Sequence, residues 1–124
     1  MTTKVRRAED CGNSPKQVLL QTLAIAIGSG DLEVLEQLTS VGVTWYQSGR
    51  APLTGQPAVM NRLRQLGPVE VLEIADVVSH GRKGAVRGTY EASGKRRIFS
   101  HFFEFTNAKC VEVKTIYTVS AASR

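Results

Sequence analysis

Apolar positions divide the chain into two textures. Up to Leu66 they recur mostly at helical spacing, and from Val69 onward they alternate with polar positions in short runs split by turns. Ser14-Pro15-Lys16-Gln17 combines a capping serine, a proline suited to the first helical position and a glutamine at capping-box spacing. Leu19, Leu20, Leu23 and Ile27 then form one buried stripe, which Gly28-Ser29-Gly30 ends. Asp31 caps a second, shorter helix with Leu32, Leu35 and Leu38 on its inner side. Residues 41–47 (VGVTWYQ) are β-branched and aromatic and predict a strand. A loop with Gly49 and Pro52 follows. Gly55-Gln56-Pro57 opens a third helix carrying Val59, Met60, Leu63 and Leu66, which Gly67-Pro68 ends.

The second half predicts four strands: residues 69–80, 85–92, 96–106 and 110–120, with turns around Gly81–Gly84, Ser93-Gly94 and Asn107–Lys109. Helices followed by a strand meander imply an α+β fold with helices on one face of an antiparallel sheet. Residues 1–13 read as a disordered leader and 14–120 as a single domain.

Strand parity sorts the side chains. A three- or five-residue loop in the last hairpin places Phe99, His101, Phe103 and Phe105 on one face with Val111, Val113, Thr115 and Tyr117. A two-residue turn near Gly94 adds Val86, Gly88 and Tyr90. The opposite face receives Arg87, Thr89 and Glu91, then Ile98, Ser100, Phe102 and Glu104, then Glu112, Lys114, Ile116 and Thr118. The first face, aromatic and apolar, is expected to meet the helices and line a cavity. The second, with Ile98, Phe102 and Ile116 among charges, is expected to pair with a second subunit.

The 124 residues suit one domain, and 42% apolar with 22% charged residues is a globular balance. The two cysteines, Cys11 and Cys110, form no CxxC pair and no zinc spacing, which predicts reduced thiols and no metal or other cofactor. The polar, basic N-terminus lacks the apolar stretch of a signal peptide, and no window approaches a membrane span, so a cytoplasmic protein is expected. The net charge of +5 raises nucleic acid as a partner. The cations are scattered, however, over Lys4/Arg6/Arg7, Arg82/Lys83 and Lys95/Arg96/Arg97, with no aromatic run or clamping loop beside them. Charge alone therefore argues against that partner.

The capped first helix, the Gly30-Asp31-Leu32 break, the run Val43-Thr44-Trp45 … Gly49 … Leu53-Thr54-Gly55, the stretch Ser79-His80-Gly81-Arg82 … Gly84-Ala85-Val86 and the closing strand pair occur in a familiar order. In that order the chain resembles the nuclear transport factor 2-like superfamily over residues 14–119, in particular its SnoaL-like and ketosteroid-isomerase-like members. The resemblance implies a cystatin-like, cone-shaped α+β barrel, with three helices on a curved, mainly antiparallel sheet, a central pocket and pairing into homodimers through the sheet. Superfamily membership leaves function open, because its members include isomerases, dehydratases, cyclases, epoxide hydrolases and non-catalytic binding proteins.

Against the isomerases, the aspartate base falls at Tyr46 (or Gln47 without a gap), the tyrosine donor near Leu23 and the second acid at His101, so those catalytic acids are absent. The Asp–Arg–Asp arrangement of the epoxide hydrolases is not evident, since nothing in the sequence joins Asp76 to Arg87. The dehydratases' tyrosines with a histidine–aspartate pair find the right types in Tyr46, Tyr90, His101 and Asp76, without a spacing that demands that use.

His101 leads the candidates. Between Phe99 and Phe103 on the inward face, burial depresses its pKa and leaves a neutral imidazole able to give or take a proton. The competing account is a core histidine bonded to a tyrosine or a backbone carbonyl. Tyr46 is the second catalytic candidate. Trp45, Tyr90, Phe99, Phe103 and Tyr117 are expected to line the pocket. Trp45 and Tyr46 point to opposite faces, so one of them faces the cavity. His80 reads as a solvated turn histidine, Asp76 as an exposed-face acid or a buried one, Asp31 as a cap, and Arg96 and Arg97 as a solvated strand start. The function expected is a SnoaL-like pocket binding a small, largely apolar organic molecule, with acid/base lyase or isomerase chemistry by His101 as its catalytic form. The alternative is a non-catalytic homodimeric interaction module.

Overall fold

The computed structural model of the chain describes residues 2–8, 14–107 and 112–123. Its elements run β1 (Lys4–Arg7), α1 (Pro15–Ser29), α2 (Leu32–Leu38), β2 (Thr39–Gln47), β3 (Leu53–Thr54), α3 (Gln56–Leu66), β4 (Val71–His80), β5 (Lys83–Ala92), β6 (Lys95–Phe105) and β7 (Val113–Ala122). The strands form one open seven-stranded sheet in the order β1-β4-β5-β6-β7-β2-β3. Pairing is antiparallel except for β1 with β4 and β2 with β7. Three helices pack on this sheet, giving the cone-like α+β fold expected.

Segment 4–7, expected within a disordered leader, instead adds a parallel strand to the β4 edge. Its pattern is almost wholly exposed, so backbone pairing rather than burial holds it, and no apolar signal announces it. The Thr3 hydroxyl anchors it by donating to the Val69 carbonyl at 2.7 Å. Cys11, Cys110 and Val111 lie outside the described residues.

Local chemistry sets the helix ends as the sequence predicts. The Ser14 hydroxyl accepts the Gln17 N–H while the Gln17 side chain accepts the Ser14 N–H, and α1 closes on a left-handed Gly30. The Asp31 carboxylate accepts the Val34 N–H at 3.3 Å. Gln56 Nε2 reaches the carbonyls of Glu36 and Thr39, both at 2.9 Å, and ties the start of α3 to the α2–β2 junction.

The core lies between helices and sheet. It joins Leu20, Leu23 and Ala24 of α1, Leu35, Val59 and Leu63, and the inward residues of β2, β4, β5, β6 and β7. Along β6 the alternation is strict: Phe99, His101, Phe103 and Phe105 are buried, while Ile98, Ser100 and Phe102 are exposed. The two-residue turn at Ser93-Gly94 pairs Ala92 with Lys95, so Val86 faces His101 and Gly88 faces Phe99 as parity predicts.

Besides a register shift between Thr39 and Thr44 in β2, irregularities in β4 and β7 break simple parity. In β4 an extra residue falls between Ile74 and Asp76. Gly88 of β5 sits against it, where an added Cβ would lie 1.8 Å from the Glu73 carbonyl oxygen, so only glycine permits the approach. In β7 Phe105 pairs with Val113 but Glu104 pairs with Thr115, so Lys114 is the extra residue. Val113 and Ile116 both point inward, three positions apart instead of two, and the parity of the remaining strand inverts. Thr118 and Ser120 thereby join the inner face. Tyr117 turns outward, and Ile116, expected at the outer face, is buried in the core at 2% exposure.

Candidate functional site

A cavity of about 470 Å³ opens between the sheet, α1 and the end of α3. Its deep end is formed by buried residues: Ala24 of α1, Trp45 of β2, Leu72 of β4, and Phe99 and His101 of β6. Its mouth is formed by the exposed Ser48, Arg50, Leu66 and Pro68, with the half-buried Gln47, Arg62, Tyr90 and Arg97 between. No carboxylate among the described residues lines it.

Of the seven expected site residues, the structure brings together His101, Trp45, Tyr90 and Phe99 around this space. The other three stand elsewhere. Tyr46 follows Trp45 on an extended strand and so faces outward, 39% exposed and stacked on Tyr117 with ring centroids 4.8 Å apart. Tyr117 is put there by the extra residue in β7. Phe103 is inward but sealed in the core, its ring 5.8 Å from that of His101 and away from the cavity wall.

His101 is held by one hydrogen bond and two aromatic neighbours. Its Nδ1 lies 2.8 Å from the Thr118 hydroxyl. That same hydroxyl accepts the Trp45 Nε1–H at 2.9 Å. The Phe99 ring lies 4.9 Å away on one side and Phe103 on the other. The expected partner, a tyrosine or a backbone carbonyl, is thus replaced by a threonine that faces inward only because β7 bulges. Desolvation alone lowers the imidazole from its ordinary 6.5 to about 4. It is neutral near pH 7, and Nε2 has no hydrogen-bond partner among the described residues.

Among the wall residues that sequence reasoning missed are three arginines, Arg50, Arg62 and Arg97. Arg97 lies two positions before Phe99, so β6 parity carries it inward, and it donates to the Ser120 hydroxyl at 3.3 Å. Arg62 stands one residue before the buried Leu63 of α3, and its Nε is buried without a hydrogen-bond partner among the described residues. Desolvation, and after it the charge of Arg50, lowers the Arg62 guanidinium from its usual range.

The remaining candidates lie off the cavity. Asp76 pairs with Arg87 across β4 and β5 on the exposed face, so the structure does join these two, but as a surface ion pair. His80 is exposed at the end of β4. No cluster of three or more metal-ligating side chains occurs among the described residues, and no helix there is long and apolar enough to cross a membrane.

No protein-family model matches the sequence, and no curated protein matches it. Solved structures do resemble the fold. A nuclear transport factor 2-like protein of unknown function from Burkholderia xenovorans superposes with a TM-score of 0.72 at 13% identity, covering 84% of this chain and 83% of that one. A candidate ketosteroid isomerase from Kribbella flavida gives 0.74 at 14% identity, over 88% and 79%. A candidate polyketide cyclase from Streptomyces antibioticus gives 0.67 at 15% identity, over 86% and 92%. The chain therefore has the nuclear transport factor 2-like fold.

Proposed function

We propose that this chain is a small-molecule-binding protein whose ligand lies in the cavity between sheet and helices. The observation that carries the reading is one neutral imidazole among the buried, mostly apolar residues at the deep end of a cavity of about 470 Å³. That volume suits a small organic ligand. Trp45, Phe99 and Leu72 offer its body apolar contact, and His101 offers one polar contact where water is excluded.

The pKa decides which chemistry His101 favours. A general base works best with a pKa near the working pH, and an imidazole near 4 is a poor proton acceptor at neutrality. A neutral imidazole in an apolar wall is better suited to donating a hydrogen bond to a carbonyl or enolate oxygen. Lyase or isomerase chemistry would therefore use His101 as an electrophile, and the carboxylate base on which the isomerases rely has no counterpart in the cavity wall. Binding is the primary reading and catalysis its extension.

Trp45 is the only tryptophan in the chain and forms part of the cavity wall, so its fluorescence reports occupancy directly. The test is to denature freshly purified protein, identify released small molecules by mass spectrometry, and titrate the emptied protein with them while reading Trp45. A released compound that shifts Trp45 emission saturably, and loses affinity in His101→Phe, supports the reading. No released compound and no Trp45 response to a panel of apolar carbonyl compounds would overturn it.

A second reading concerns the outer face of the sheet, which we propose pairs two copies of the chain. Tyr46, Phe102 and Tyr117 form an exposed aromatic cluster there, with Ile98 and Val119 also exposed. A cluster of this kind on one sheet face is a recurrent mark of an interaction surface. Sedimentation tests it, and a monomer at every micromolar concentration examined would remove it.

A further inference from the structure

The cavity is polarised, with an apolar deep end and an arginine-bearing mouth. Arg50, Arg62 and Arg97 converge on it from the β2–β3 loop, α3 and β6, three separate elements. None of the three forms an ion pair among the described residues. The ion pairs found there, Arg6–Glu73, Arg87–Asp76, Arg96–Glu73 and Lys114–Glu104, involve no residue of the cavity wall. Arg97 has a serine hydroxyl for a partner, and Arg62 Nε is buried with no hydrogen-bond partner among the described residues.

Gathering like charges beside a desolvated donor is unfavourable unless something answers them. Arg50 and Arg62 are close enough to act on one another. Among the described residues no acid of the cavity wall does so. A ligand that brings its own negative charge would satisfy the orphaned Nε and relieve the mutual repulsion of the cations. The planar guanidinium fork matches a carboxylate in two parallel hydrogen bonds.

We propose that the natural ligand is an amphipathic organic carboxylate, its apolar body against Trp45, Leu72 and Phe99 and its carboxylate held at the mouth by Arg62 and Arg97, with Arg50 adding attraction from the rim. This inference rests on the pocket reading above and specifies its ligand class. Polarity then has a fixed direction. The charged end stays near solvent while the end carrying any carbonyl reaches His101.

The experiment compares a matched pair of probes, decanoate and decan-1-ol, each titrated into the full chain at low salt with Trp45 fluorescence as readout. Decanoate is expected to bind about tenfold more tightly, the scale of one or two charge-assisted hydrogen bonds. The margin should shrink as salt rises, because the mouth is open to solvent. Arg62→Met and Arg97→Met should each remove most of that margin while leaving decan-1-ol affinity within about twofold, and retained decan-1-ol binding also shows that the variants are folded. Equal affinity for the two probes overturns the carboxylate assignment and leaves the pocket reading standing. A decanoate preference that survives both substitutions overturns the role given to these arginines. No Trp45 response to either probe overturns the pocket reading, and the ligand class with it.

Discussion

The Thr118 hydroxyl lies 2.8 Å from His101 Nδ1, a contact in which either group can be the donor. The indole N–H of Trp45 can only donate, so it occupies one lone pair of the Thr118 oxygen. Donation of the threonine proton to His101 Nδ1 is the arrangement that satisfies all three groups at once. In that arrangement Nδ1 accepts and the ring proton resides on Nε2.

Nitrogen-15 spectra at neutral pH should accordingly show a pyridine-type Nδ1 and a pyrrole-type Nε2 for His101. Thr118→Val, close in shape, leaves Trp45 Nε1 and His101 Nδ1 without their shared partner. It should lower stability by about 1–3 kcal/mol, the cost of stranding buried polar groups. The imidazole signals should move toward a mixture of tautomers. An unchanged tautomer in the variant would show that Thr118 does not set it.

Stability should fall as the medium is acidified from pH 6.5 toward pH 4. The His101 pKa is about 4 in the folded chain against an ordinary 6.5, so within that window the unfolded state binds a proton that the native state refuses. Unfolding is favoured as pH drops, and the contribution is fully restored above 6.5. The whole effect is about 3 kcal/mol, at about 1.4 kcal/mol per pKa unit. Denaturant unfolding of the wild type and His101→Gln at a series of pH values isolates it, because the carboxylates are common to both. The stability difference between the two proteins should narrow by that amount on going from pH 7 to pH 4. Parallel curves would show that the imidazole is not sequestered.

The deep end of the cavity was legible in the sequence, and the reason is local. Trp45, Phe99 and His101 lie on strands whose alternation is unbroken where it matters, and the tight turn at Ser93-Gly94 fixes the register between β5 and β6, which also brings Tyr90 to the cavity wall. Thr118 was not legible, because one extra residue at Lys114 reverses the parity of everything after it. Nothing in VEVKTIYTVS marks that bulge, which carries no glycine and no proline. Arg97 is a different case. The parity that places Phe99 inward also places Arg97 inward, but a Lys-Arg-Arg run beside a turn is ordinarily solvated, and that prior prevailed. The β1 pairing left no apolar signature to read.

Gly88→Ala should be among the most damaging single-methyl changes available. The new Cβ would meet the Glu73 carbonyl oxygen at 1.8 Å, and the obstacle is backbone, which cannot rotate away as a side chain can. Strands β4 and β5 would have to separate at the bulge. A loss at or beyond the upper end of the usual 1–3 kcal/mol for overpacking, about 3 kcal/mol, is expected by urea unfolding. Gly42→Ala, at a β2 position where nothing approaches within 4 Å, provides the control and should change stability little. Equal losses at the two positions would show that the close approach at Gly88 does not constrain the sheet.

Tyr117 stands between Tyr46, stacked at 4.8 Å, and Phe102, whose ring meets it edge-on at 6.1 Å, so it is the centre of the outer aromatic cluster. The consequences of Tyr117→Lys separate the two roles this residue can play. Within one chain, losing the ring contacts costs about 0.5–1.5 kcal/mol. If the cluster is the middle of a dimer interface, placing a charge there costs in addition what a central contact residue costs, about 2 kcal/mol or more. The dissociation constant would then rise by about thirtyfold or more. Equilibrium sedimentation reads the second effect and thermal unfolding under monomeric conditions reads the first. A dimer that persists at wild-type strength in Tyr117→Lys would move the interface away from this face, while leaving the opposite face and its cavity as they are.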